Sequence, residues 1–343
     1  YLSEYFMILK KIKSLRKFFI LIVSIILFSP VLFSANISSK HSLSILNSIG
    51  TRDRGLMNSA FLIPKDSSAV FINSSSLTAL IRDSINLNYT LTPNFKEEYL
   101  FNASYSHTDN VYAIGIGFAS ELSKIKTYNI SRQKENDILS GNYLINLGAA
   151  YMINETSYIG GNIKAVINNF DNHNIFGGFL DLSYMQSIFN PALKIGIGIK
   201  NFGFYDKVFA AIDTDIITSI AYSKEDSSFA VALEYDISVP SVSHKISLGL
   251  EAMIIDFNKL GLFDSNIDYD DLPESVLDEP SHMQKRHSTK LPSGILGRLG
   301  IGNKGVSLGL SLYVDLFRFD YAIVFDNFNK NNISHDFGLS FMF

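Results

Sequence analysis

Residues 306–314 read Val306-Ser307-Leu308-Gly309-Leu310-Ser311-Leu312-Tyr313-Val314. Every second side chain is aliphatic, and Ser, Gly or Tyr lies between. Successive side chains of a strand face opposite sides, so this stretch has one apolar face and one small or polar face. The pattern recurs outward in both directions. In Ala192–Lys200, Leu193, Ile195, Ile197 and Ile199 alternate with Lys194, Gly196, Gly198 and Lys200. In Phe229–Asp236, Phe229, Val231, Leu233 and Tyr235 alternate with Ala230, Ala232, Glu234 and Asp236, and Phe317, Phe319, Tyr321 and Ile323 alternate with Arg318, Asp320 and Ala322. Strands are expected over 84–92, 99–107, 110–119, 141–152, 156–168, 175–187, 191–202, 214–223, 227–237, 243–255, 294–301, 305–314, 316–325 and 334–343, with Gly, Asn, Asp and Ser between them.

The chain has 343 residues, 47% of them hydrophobic and only 18% charged, with 27 Phe and 17 Tyr. That composition excludes intrinsic disorder. The absence of Cys excludes disulfides, a thiolate metal site, a Cys nucleophile and a lipid-anchored Cys. A net charge of −4 argues against a nucleic-acid partner, which needs a basic face.

The N-terminus reads as a targeting segment. Residues 1–6 precede Met7 and are expected to be an upstream extension. Lys10, Lys11, Lys13, Arg16 and Lys17 then lead into an apolar run from Phe18 to Phe33, and Ser34-Ala35 supplies small residues for cleavage. Residues 7–35 therefore read as a secretory signal peptide. Without residues 1–35 the chain keeps 24 basic and 32 acidic residues, a net charge of −8.

Export, strands near the nine to eleven residues that cross a bilayer, and an aromatic C-terminus together select a membrane barrel over a soluble sandwich. On the last strand Phe337, Leu339, Phe341 and Phe343 share one face, opposite Gly338, Ser340 and Met342. These four side chains are the expected signal to the barrel assembly machinery. The fold class is all-β, a transmembrane antiparallel barrel of about fourteen strands over residues 84–343.

Residues 45–80 break the alternation. They read Ile45-Leu46-Asn47-Ser48-Ile49-Gly50-Thr51-Arg52-Asp53-Arg54-Gly55, and later Asp66-Ser67-Ser68-Ala69-Val70-Phe71-Ile72-Asn73-Ser74-Ser75-Ser76-Leu77. This stretch resembles the N-terminal hatch of the long-chain fatty-acid transporter (FadL-like) superfamily, and more closely its PorV-like branch. There a Gly-rich segment is followed by an Asp-rich turn and Asn-Pro-Ala-Gly-Leu. Asn73 and Leu77 match; Ser74, Ser75 and Ser76 replace Pro-Ala-Gly, and Asn58 and Ser59 stand where Gly is usual. Downstream, Lys200-Asn201-Phe202-Gly203, Leu248-Gly249-Leu250-Glu251, Phe319-Asp320-Tyr321-Ala322 and Ser334–Phe343 are similar to strand motifs of the family.

The resemblance implies an outer-membrane barrel with residues 36–83 as its plug. It further implies passive diffusion of a hydrophobic ligand, long-chain fatty acids foremost, past hatch residues around Arg52, Arg54, Asp66, Phe71 and Asn73. The branch also contains protein-secretion components, so a non-transporting scaffold that binds a protein partner stays open beside transport. Outer-membrane lipid is the remaining expected partner.

The alternation places Lys164, Lys194, Lys200, Glu234, Asp236, Glu251, Arg298, Arg318 and Asp320 on the inward face. Both signs interleave, which reads first as a salt-bridge network stiffening the lumen and second as a lining for a substrate headgroup. Gly300-Ile301-Gly302-Asn303-Lys304-Gly305 matches a dinucleotide fingerprint by letters. Between two barrel strands it reads as a tight periplasmic turn, and no cofactor is expected. Residues 264–290 are an acidic insertion whose Asp spacing lacks the Gly and Glu of a Ca²⁺ loop, so no metal is expected. With chain ends on the periplasmic side, Ser120–Ser140 is expected to be a long extracellular connection. The acidic insertion is also expected outside, provided Lys259–Phe263 begins a further strand pair. No Gly-x-Ser-x-Gly or His-Glu-x-x-His occurs and the seven His are scattered, so the chain is not read as an enzyme.

Deleting Phe343 is expected to reduce the amount of folded barrel in the membrane, seen as loss of the fast-migrating band on unboiled gels. Undiminished barrel after that deletion would refute the assembly-signal reading.

Overall fold

Each alternating segment forms a strand, and the strands close on themselves. A computed structural model describes residues 44–46, 49–80, 82–93, 97–109, 111–128, 134–170, 173–188, 190–205, 212–224, 227–260, 293–326 and 332–343. The expected extension 1–6, the signal peptide 7–35, residues 36–43 of the expected plug and the acidic stretch 264–290 lie outside the described residues. The strands are β1 (Ser84–Pro93), β2 (Glu97–Thr108), β3 (Tyr112–Tyr128), β4 (Lys134–Asn154), β5 (Ser157–Phe170), β6 (His173–Ile188) and β7 (Asn190–Tyr205). They continue as β8 (Thr214–Ser223), β9 (Phe229–Val239), β10 (Ser243–Asp256), β11 (Gly294–Gly302), β12 (Gly305–Val314), β13 (Phe317–Asp326) and β14 (Asn332–Met342). Every strand pairs antiparallel with the next, and β1 closes the barrel against β14 from Ser84–Met342 to Leu91–His335.

The polarity is inverted relative to a water-soluble sandwich. Outward side chains such as Ile163 (64% exposed), Leu182 (62%) and Leu310 (51%) are uncovered, whereas Arg318, Glu251 and Lys164 are among the largest fully buried side chains. An apolar belt of this extent is stable against lipid and not against water. Phe337, Leu339 and Phe343 are exposed on the outside of the closing seam. There Phe341 packs on Phe317 at 4.9 Å and on Phe343 at 5.4 Å between ring centroids.

Three expectations about the connections are corrected. Ser120–Ser140 is not a long loop: β3 and β4 stay paired through Ser123–Ser140 and on to Lys126–Asp137. The ladder outlasts the apolar alternation because backbone pairing needs no apolar face. Glu121 and Ser123 still point inward, and Leu122 still points outward. Second, of the expected strand start Lys259–Phe263 only Lys259 and Leu260 are described, and they lie in the turn Phe257–Leu260 after β10, which pairs directly with β11. Strand parity then puts Leu260 and Ser293, which flank the undescribed residues 261–292, at the end where β1 starts and β14 finishes, not at the opposite end. Third, the Asn303-Lys304 turn lies opposite the chain ends, not beside them, because β11 runs away from the end where β10 finishes.

The described part of the segment before β1 packs inside the barrel against inward faces of the strands. The short helix Thr51–Gly55 lies against β1 and β11 through β14. The 3-10 helix Ser74–Ala79 lies against β2 through β6 on the other wall. Between them Phe61, Leu62 and Ile63 pack with Met185, Ile217 and Ala230 of β6, β8 and β9. The inward glycines make this fit possible. A Cβ on Gly160 of β5 would strike the backbone of Ser74 and Ser75, and one on Gly300 of β11 would strike the backbone of Leu56 and Met57.

The parity argument has a direct test. An epitope tag inserted at Ser275 is expected to label only after the outer membrane is opened. Labelling on intact cells would overturn the placement of that connection beside the chain ends.

Candidate functional site in the barrel lumen

The lumenal segment holds its shape through side chains as much as through backbone. Asp66 Oδ1 accepts from the Ser68 amide at 2.7 Å, and Asp53 Oδ1 accepts from the Ala60 amide at 2.9 Å. Asn73 caps the 3-10 helix: its Oδ1 accepts from the Ser75 amide at 3.0 Å and the Ser75 hydroxyl at 2.7 Å, while its Nδ2 donates to Phe61 O at 2.7 Å. Such polar caps fix short helices that have too few internal hydrogen bonds to stand alone.

One wall grips this segment with amides. Asn146 and Asn162 each donate to Val70 O, at 2.7 and 2.8 Å. The serines that replace Pro-Ala-Gly serve the same contact: Ser74 Oγ donates to Asn162 Oδ1, the Ser75 amide donates to Ser183 Oγ at 3.1 Å, and Ser76 Oγ donates back to Asn73 O at 2.6 Å. Phe71, 3% exposed, packs against the space left by Gly117.

The opposite wall grips it with charge. Arg52 donates to Glu251 through Nε at 2.9 Å and Nη2 at 3.1 Å. Arg298, the cross-strand neighbour of Glu251, donates to the same carboxylate at 2.7 Å, and Lys65 Nζ stands 3.7 Å away. Arg298 Nη1 also meets Asp320 at 3.0 Å, Asp320 meets Arg318 at 2.6 Å, and Arg318 reaches Asp66. Nearby, Arg54 Nε pairs with Asp336 at 2.8 Å. Breaking one buried pair while leaving its partner in place costs about 3–5 kcal/mol. Burial pushes the Lys65 ammonium down to about 8, with Glu251 opposing the shift. Burial works against ionised Asp66, but Arg318 overcomes it and holds that carboxyl below its usual range.

The expected site residues therefore divide. Arg52, Asp66, Glu251, Arg298, Arg318 and Asp320 form one buried ion chain, and Arg54 pairs beside it. Phe71 and Asn73 are packing and capping groups. Lys164 joins a separate pair with Asp181 at 2.6 Å and donates to Asn201 at 2.9 Å. Lys194, Lys200 and Glu234 make no ion pair among the described residues. Sequence reasoning missed Asp181, although period two around Leu180 and Leu182 places it inward. It also missed Asp336, which period two places on the inward face with Gly338 and Ser340, and Lys65, which no spacing marks.

Above the lumenal segment lies a cavity of about 410 Å³. Its floor includes Asp53, Met57 and Phe61, and its walls include Thr92, Asp215, Glu234, Ser238 and Lys304. Thr92, Ser238 and Lys304 lie at strand ends remote from the chain termini, so the cavity belongs to that end of the barrel. Burial raises the Asp53 carboxyl on its floor, against the pull of the Ala60 amide.

No protein-family model and no curated protein matches the chain. Solved structures do. The Pseudomonas putida toluene transporter TodX is 9% identical, with 88% of this chain and 98% of that one covered at a TM-score of 0.54. A Pseudomonas aeruginosa FadL homologue is 8% identical, with 84% and 97% covered at 0.51. At such identities the likeness is one of fold: a bacterial outer-membrane barrel.

Glu251→Gln is expected to lower barrel stability by about 3–5 kcal/mol, since it leaves Arg52 and Lys65 without their carboxylate and Arg298 with Asp320 alone. The readout is the temperature at which the folded band disappears on gels. An unchanged temperature would show that the ion chain does not hold the lumenal segment.

Proposed function

We propose that this protein lets small hydrophobic molecules cross the bacterial outer membrane by passive diffusion, with the segment before β1 acting as a plug. The supporting observation is a segment tied to two walls inside the barrel, beneath a cavity at the end remote from the chain termini. A segment anchored to both walls blocks free flow of ions and water, so an open general pore is a poor reading and selective passage a better one. Met57 and Phe61 on the cavity floor and Ile217 on its wall offer apolar surface to such a ligand.

The orientation follows from the usual asymmetry of these barrels. Chain ends lie on the periplasmic side, so the cavity faces outward and receives ligand first. Long-chain fatty acids are the ligand class implied by the sequence resemblance. Toluene is the named cargo of the structural neighbour TodX. Both serve as probes.

Cells making the protein are expected to take up labelled toluene or oleate faster than cells lacking it, with no rise in general permeability to small ions. Equal uptake of both probes, together with a protein recovered in stoichiometric amounts with the purified barrel, would replace transport with a scaffold role.

A further inference from the structure

The cavity carries more charge than a site for a purely apolar ligand needs. Six carboxylates line it: Asp53, Glu121, Asp215, Glu234, Asp236 and Asp326. Four bases face them, Arg54, Lys200, Lys245 and Lys304. Arg54 is committed to Asp336 outside the cavity lining, and Lys245 to Asp236 at 3.2 Å and Asn58 O at 3.4 Å. Glu121 accepts from Asn142 Nδ2 at 2.7 Å, and among the other lining groups Asp53, Asp215, Glu234 and Asp326 outnumber Lys200 and Lys304.

Glu234 is the informative residue. It projects inward from β9, is 5% exposed, and its Oε2 has no hydrogen-bond partner. Asp236 Oδ1, two residues on and on the same face, is also without a partner. Lys200 lines the same cavity but makes no ion pair with either carboxylate. A buried carboxylate oxygen left without a donor costs free energy that a bound donor recovers. Among the described residues no set of three or more His, Asp or Glu is grouped to hold a metal ion. An organic ammonium ion supplies such donors. Apolar side chains beside the carboxylates, Met57, Phe61, Ile72, Leu100 and Ile217, suit the body of such a ligand. The volume lies within the range of small-molecule pockets.

We propose that the outward cavity is a binding site for small organic ammonium ions with an apolar body, whose ammonium donates to Glu234 and Asp236. The inference rests on the transport reading and refines it: the favoured headgroup is a cation, and a carboxylate headgroup is disfavoured by like charge.

Three water-soluble probes of one size separate the contributions: benzylamine, benzyl alcohol and benzoate. Their binding to the purified full-length barrel in detergent is measured by calorimetry or saturation-transfer NMR at neutral pH. Benzylamine is expected to bind about tenfold tighter than benzoate, with benzyl alcohol between them. Glu234→Gln, which keeps the shape, is expected to remove most of the benzylamine advantage and leave benzyl alcohol unchanged. The wild-type ranking stands even if that variant does not fold. Benzoate binding as tightly as benzylamine, no binding of benzylamine, or an undiminished advantage in a folded Glu234→Gln variant each overturns the cation site. Toluene uptake read alongside keeps the two readings apart: uptake without amine preference removes only the cation site, and its absence removes transport.

Discussion

The inside of this barrel depends on the carboxylate of Glu251. It sits between Arg52 from the lumenal segment and Arg298 from the neighbouring strand, with Lys65 close by. From Arg298 the charges alternate through Asp320 and Arg318 back to Asp66. The chain of ions thus leaves the lumenal segment at Arg52, runs through β10, β11 and β13, and returns to it at Asp66. Glu251 and Asp320 each have a cation on both sides, and Asp66 ends the chain on Arg318; paired in this way, buried charge is tolerated. The outward face offers lipid nothing polar to hold a segment in place, so the grip must come from within.

The strand pattern was legible because it answers to one strong constraint. A side chain on these strands meets either lipid or a packed polar lumen, and period two records that choice at every step. Gly305–Val314 and Thr214–Ser223 were read to their observed ends for this reason. The reading fell short where the constraint lapses. Past Ala119, β3 stays paired with β4 although apolar side chains mark it less densely, and Lys259–Leu260, read as the start of a further strand, lie in a turn. The lumenal segment was legible only as a departure from the pattern. That Arg318 is inward could be read from Phe317 and Phe319; that it meets Asp66 could not, because the partner is 252 residues away.

The three serines at positions 74–76 stand where the motif that the segment resembles has Pro-Ala-Gly. A Pro-Ala-Gly turn draws its shape from restricted and permissive backbone. Here the same place is shaped by hydrogen bonds: Asn73 caps the turn, Ser75 meets Ser183, and Ser76 closes back on Asn73. Polar ties replace backbone preference, and they fasten the turn to β5 and β6 at the same time.

The pairing of Ser84 with Met342 has a consequence for how the molecule is built. The residues packed inside the barrel come before the first strand, and the seam closes only when the last strand is made. Were the sheet to seal first, a folded-in segment with side chains tied to both walls would have to be threaded through a ring already full of inward side chains. Curling the sheet around a segment already in position avoids that passage. The closing seam is then a latch: once the last ladder forms, the contents of the ring are trapped by topology as well as by energy.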